Sequence, residues 1–226
     1  MNVLGIETAT TVCAAALVRG GRVVAESLLD AGRVHAEKLM CQIVAVLGPE
    51  GVGSLGGVAV SIGPGSFTGL RIGVSVAKGI AFARNIPVVG VPTLEALALH
   101  AAETDHAETG TRILAALDAR RDEVYCQLFD VRPGGPVPLW DVRDMTLGAL
   151  MTELHGSLAR VTGEAAAKVL SWPDAQATLS MVPAEALRCS GGSVARLGER
   201  LLLAGKADDP STLEPRYIKD FFLKKR

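Results

Sequence analysis

The 226-residue chain has no long hydrophobic run. No stretch approaches 18 unbroken apolar residues, and the start, MNVLGIETAT, carries neither a basic leader nor an apolar signal core. Neither a membrane span nor export is expected. Net charge is nearly absent too: 23 Lys and Arg stand against 24 Asp and Glu, a formal −1, with the signs interspersed. That excludes a global field drawing in nucleic acid or an anionic membrane, so any nucleic-acid contact must be local or borrowed from a partner. Cysteine is scarce. Cys13, Cys41, Cys126 and Cys189 lie far apart, form no C-x-x-C pair and sit in apolar stretches, so buried free thiols and a reducing, cytoplasmic setting are expected. The four histidines, His35, His100, His106 and His155, make no H-x-x-x-H or H-x-x-H pair. Neither a metal site nor a resident cofactor is expected.

About half the residues, 49%, are apolar, enough to bury a core. Residues 3–7, 12–19 and 22–28 are β-rich runs, the last two joined by Gly20-Gly21, which supplies the positive φ of a tight hairpin. From His35 to Leu47 the apolar residues Leu39, Ile43, Val46 and Leu47 recur at helical spacing until Gly48-Pro49. A strand at 57–62, a helix at 68–84, a strand at 88–91 and a helix at 93–103 follow. The polar run 103–111, ETDHAETGT, marks a boundary. Strands at 113–118, 124–131 and 137–140 then precede helical stretches at 146–158, 184–187 and 193–204. No repeat of 20 to 50 residues appears, and VRPGGPVP at 131–138 is a turn-rich loop. Two halves of three strands followed by α/β units predict a duplicated α/β fold with lobes at 1–105 and 106–226. Such lobes resemble the actin, sugar-kinase and Hsp70 superfamily, an analogy of fold that gives no activity by itself.

The most distinctive segment is SIGPGSFTGLRIG, residues 61–73. Strand, glycine-rich turn and helix are the layout of a phosphate loop. Yet Gly69 is followed by Leu70 and Arg71 rather than Lys and Ser or Thr, and neither G-x-G-x-x-G nor G-x-S-x-G is present. The helix says more. Gly69, Gly73, Ala77 and Ala81 fall at four-residue intervals, a stripe that admits another backbone closely, and interior helical glycines cost about 1 kcal/mol each relative to alanine. Leu70, Ile72, Val74, Val76 and Ile80 leave the helix apolar nearly all round. Two readings stay open: a core helix crossing a neighbour within the lobe, or one face packed inside and the other on a partner chain.

SIGPGSFTGLRIG, together with GIETATTVCAAAL at 5–17, HAEKL at 35–39 and LDARRDEVY at 117–125, resembles the TsaB (YeaZ) family over most of the first 125 residues. The rest aligns only by architecture. The resemblance implies a subunit that pairs with a homologous catalytic subunit, TsaD, and with the ATPase TsaE, to place threonylcarbamoyl on an adenosine beside the tRNA anticodon. It places the interface on the two helices named above, with His35, Leu39, Ile43, Gly69, Leu70, Gly73, Val76, Ala77 and Ile80 as candidates. Self-pairing of the isolated chain stays an open alternative, and tRNA would be met only through the complex. TsaD carries two metal-binding histidines in H-x-E-G-H; the matching stretch here is Thr93-Leu94-Glu95-Ala96-Leu97, which cannot supply imidazoles.

The candidate nucleotide residues are weaker. Glu7 and Thr8 at the first hairpin turn, and Asp118 and Arg120 at the second, sit where actin-like kinases hold phosphates, but the second turn has no glycine and several bulky charges. Gly191-Gly192 resembles an adenosine-side turn, though a helix start needs such residues anyway. Strand-end acids such as Glu7, Asp118 and Glu123 are solvated more often than catalytic. The C-terminal YIKDFFLKKR, with Lys219, Lys224, Lys225 and Arg226, could meet tRNA phosphates, against the plainer reading of a solubilising end docked by Phe221 and Phe222. A partner subunit without chemistry of its own is therefore expected; the alternatives are an ATP-dependent small-molecule kinase and a metalloprotease-like relative.

Overall fold

A computed structural model describes residues 1–32 and 34–218; the basic tail singled out above, from Lys219 onward, lies outside them. The chain opens as an antiparallel meander, β1 (Asn2–Glu7), β2 (Val12–Arg19) and β3 (Arg22–Asp30). Helix α1 (His35–Leu47) leads through a 3-10 turn to β4 (Gly57–Gly63), α2 (Phe67–Arg84), β5 (Val88–Pro92) and α3 (Thr93–Thr104). β4 joins β1 in parallel and β5 joins β4, giving the order β3-β2-β1-β4-β5.

The second sheet repeats that plan. It comprises β6 (Arg112–Asp118), β7 (Glu123–Arg132), β8 (Gly135–Pro138) and β9 (Arg143–Thr146), then α4 (Leu147–Leu154), β10 (Ala159–Thr162), α5 (Ala166–Leu170) and β11 (Leu179–Met181). Its order is β11-β10-β6-β7-β8, with β9 also on β7, and β10 and β11 parallel to their neighbours. The strand expected at 137–140 corresponds to β8, which ends at Pro138, and β9, β10, α5 and β11 are additions to the expected elements.

Side-chain alternation along β1 sorts the two faces of the first sheet. Leu4 and Ile6 pack with Leu39, Ile43, Val74, Ala77 and Ala81, so α1 and α2 cover one face. Val3 shares a cluster with Val194 and Ala195 of α6 (Gly191–Leu203) on the other. The last helix among the described residues therefore lies on the first sheet, and lobe membership does not follow chain order. Glycines set how close it comes: a side chain at Gly5 would meet Ala195 at 2.7 Å, and one at Gly191 the Ala15 backbone at 3.0 Å. Glu199 fastens the far end, accepting from the N–H groups of Gly20 and Gly21 at 3.0 and 2.5 Å. Between the sheets α3 packs Leu94, Leu97 and Ala98 on Ile113, Leu117 and Phe129. All four cysteines are free. Cys13, Cys126 and Cys189 are buried as expected, whereas Cys41 is exposed because it falls on the outer side of α1. Among the described residues no helix is long and apolar enough to cross a membrane.

Candidate functional site

The glycine-rich turn is built onto the β1–β2 turn. Ser66 N–H donates to the Ala9 carbonyl at 2.6 Å, and Gly65, with φ +156, lies so close that any side chain there would strike Ala9. Gly63 N–H donates to Thr93 Oγ1 at 3.1 Å. Ser66 then caps α2, its hydroxyl accepting from Gly69 N–H at 3.2 Å. Among the described residues, no lysine and no free glycine cradle is left here for a nucleotide phosphate.

Between this turn and the second sheet runs a cleft of about 990 Å³, lined by Thr10, Thr11, Ser66 and Thr68 on one side and by Asp118, Arg120, Arg121 and Glu164 on the other. Of the six nucleotide candidates only Asp118 and Arg120 line it. Glu7 is fully buried, with Oε1 accepting from Ala9 N–H at 2.5 Å. Burial pushes its pKa up to about 7 against the Ala9 and Ser61 hydrogen bonds, and the charge of Glu164 pushes the same way. Thr8 is also fully buried, its hydroxyl against Gly73. Both residues point into the body because the glycine-rich turn and α2 close over the end of β1.

Gly191 and Gly192 are corrected as well. Glu26 of β3 reaches the start of α6, where its Oε1 accepts from Ser190 Oγ at 2.8 Å and from Gly192 N–H at 3.1 Å. The chain's own carboxylate fills the place an anion would take. For Asp118, burial works upward, but the Lys168 ammonium at 2.7 Å and the Arg120 N–H at 3.2 Å outweigh it and hold its pKa below the ordinary range. Arg120 and Arg121 adopt left-handed backbone, φ +85 and +51, which costs side-chain-bearing residues about 1 kcal/mol or more each.

The interface candidates divide sharply. Leu39, Ile43, Leu70 and Ala77 are almost fully buried, and Gly69 and Gly73 face inward. A methyl group at Gly69 would run into the Thr8 carbonyl oxygen, and one at Gly73 into the Thr8 hydroxyl. The stripe itself faces inward, and its close neighbour is the end of β1. His35 is buried as well, its Nε2 donating to the Thr10 carbonyl at 2.9 Å, which ties the start of α1 to the same turn. Only Val76 and Ile80 remain half-exposed. The large apolar side chains that α1 and α2 do leave in water are Met40, Val44 and Phe82. Sequence reading passed over these three, although Met40 and Val44 stand four apart on one row of α1, about a quarter turn round from Leu39 and Ile43.

Thr93 and Leu97 occupy the positions that the resemblance gives to the metal-binding histidines. Thr93 holds the Gly63 N–H, and Leu97 is fully buried between α3 and the second sheet. Among the described residues no group of three His, Cys, Asp or Glu side chains could hold a metal ion.

Two sheets of one topology with a cleft between them define a two-lobed, actin-like protein. Its backbone matches, for instance, ethanolamine utilization protein EutJ of Carboxydothermus hydrogenoformans with a TM-score of 0.51 at 10% identity, over 88% of this chain and 90% of that one. Residues 22–133 match the family model "TsaD: tRNA N6-adenosine threonylcarbamoyltransferase". Escherichia coli tRNA threonylcarbamoyladenosine biosynthesis protein TsaB is 30% identical over 228 residues, 97% of this chain and 95% of that protein. A Pseudomonas aeruginosa crystal structure, of a protein with similarity to peptidase YeaZ, superposes with a TM-score of 0.82 at 25% identity over 96% and 99% of the two chains. The chain belongs to the TsaB family, and its role lies in the tRNA threonylcarbamoyladenosine synthesis system.

Proposed function

We propose that the chain is the partner subunit of a threonylcarbamoyl-transferring complex. It pairs with a TsaD-type homologue through the solvent side of α1 and α2, works with a TsaE-type ATPase, and transfers no group by itself. The observation that carries this reading is the apolar material this helix pair leaves in water: Val44 is 64% and Phe82 85% exposed, Met40 is exposed too, and Ile72, Val76 and Ile80 are half-buried. Large apolar side chains gathered on one face mark protein contacts, and covering one such side chain contributes about 1.5–3 kcal/mol. The pair already has its own core face, so a second apolar face is surplus to folding.

Two features support an absence of independent transfer chemistry. Thr93 and Leu97 supply no imidazole, and both are engaged inside the fold. Glu7 and Thr8 are buried in the body rather than lining the cleft, and the Gly192 N–H is taken by Glu26. Reconstitution tests the proposal. With threonylcarbamoyl-adenylate and tRNA, modification is expected when the chain is combined with TsaD-type and TsaE-type subunits, and none from the chain alone. Modification by the chain alone would contradict it.

A further inference from the structure

The last described stretch of the chain leaves α6 and returns along the first sheet. Asp208 N–H donates to the Val88 carbonyl at 2.9 Å, and its carboxylate accepts from Gly90 N–H at 2.7 Å. Leu213 is buried in the core beneath α2, and Lys78 of α2 donates to the carbonyls of Ser211 and Leu213 at 3.4 and 3.2 Å. Arg216 N–H donates to the Ile62 carbonyl at 2.6 Å. Its own carbonyl oxygen sits where a side chain on Gly63 would meet it at 2.6 Å. Tyr217 then lands on the first turn of α2. Its ring centroid lies 5.1 Å from that of Phe67, its hydroxyl accepts from Arg71 Nε at 3.0 Å, and the Arg71 guanidinium stands 4.0 Å over the Phe67 ring.

These contacts fall on the first turn of α2. Val74, Ala77 and Ala81 anchor the rest of the helix in the hydrophobic core, while the first turn is held by the fully buried Leu70, the Ser66 cap and the close approach of Gly69 to Thr8. Arg71, Ser75, Gly79 and Phe82 are all exposed, and their spacing makes them one ridge. Tyr217 therefore orients a guanidinium on the ridge that carries Phe82, and Arg with aromatic neighbours is the composition enriched at protein interfaces.

We propose that residues 208–218 form a strap that positions the partner face: Tyr217, clamped on Phe67 and Arg71, sets the first turn of α2, and pairing with the TsaD-type subunit requires the strap docked. This rests on the pairing reading above. The test uses the full chain with Tyr217→Ala, Tyr217→Phe and Val44→Glu, reading affinity for the TsaD-type subunit by titration calorimetry, hydrogen exchange at residues 64–72, and the thermal midpoint. Tyr217→Ala is expected to weaken pairing about tenfold and to speed exchange at 64–72, with the midpoint held within about 2 °C. Tyr217→Phe keeps the ring stack and should stay within about threefold of the parent. Unchanged affinity in Tyr217→Ala overturns the inference. So does a fall in midpoint that accompanies the loss of affinity, because Tyr217 would then serve the fold rather than the partner. If Val44→Glu abolishes pairing and Tyr217→Ala does not, only the strap inference fails. If Val44→Glu pairs normally, the face itself is wrong and both readings fall.

Discussion

Glu7 ends β1 with its carboxyl group fully buried, and that burial raises its pKa from 4.5 to about 7. Below pH 4.5 the group is protonated in the folded and unfolded chain alike. Between 4.5 and 7 the unfolded chain loses its proton first, so stability falls by about 1.4 kcal/mol per pH unit, about 3 kcal/mol across the window. Glu7→Gln keeps an acceptor for Ala9 N–H and cannot ionise. Thermal midpoints of parent and variant should coincide near pH 4.5 and separate toward pH 8, with the variant the more stable; a gap independent of pH would contradict this. The position of Glu7 at a strand end beside a turn was legible in the sequence. Its burial was not, because it depends on Ser61 and on a glycine-rich turn more than fifty residues away that closes over Ala9.

Helix α2 shows how far a pattern of residues reaches. The four-residue stripe of Gly69, Gly73, Ala77 and Ala81 announced a close approach, and one exists, yet period reports which residues share a face and not what meets that face. The family resemblance pointed the stripe at a partner, whereas the occupant is Thr8. The outward ridge was harder to read, since Phe82 follows no repeating apolar spacing and Arg71 and Ser75 interrupt it. Gly73→Ala forces a methyl group against the Thr8 hydroxyl and should lower stability by about 1–3 kcal/mol. Gly79→Ala meets nothing within 4 Å on the exposed side and should raise it by about 0.5–1 kcal/mol. Urea midpoints of the two variants check the opposite signs.

At the scale of the molecule, the duplicated plan was visible because each half opens with long apolar strands around a hairpin turn. The short elements escaped: β10 and β11 have four and three residues and α5 has five, too few for any periodicity to declare itself. The return of α6 to the first sheet was hidden for another reason, since Gly191, Ala195 and Gly198 look like ordinary small residues until Gly5 and Ala59 are placed opposite them. A fragment of residues 1–105 lacks that helix and leaves Val3, Val18, Ala59 and Val89 uncovered. It should give no cooperative urea transition by circular dichroism, and a cooperative one would show that the first half is a self-sufficient domain. The central claim concerns the opposite face of the same sheet, where α1 and α2 hold a surface for another chain. Light scattering after size exclusion, with an equimolar TsaD-type subunit, tests it most directly. The parent chain should elute as a stable complex, and Val44→Glu with Phe82→Glu should elute apart from the subunit while keeping the parent's circular dichroism. A double variant that still pairs, or a parent chain that does not, would contradict the account.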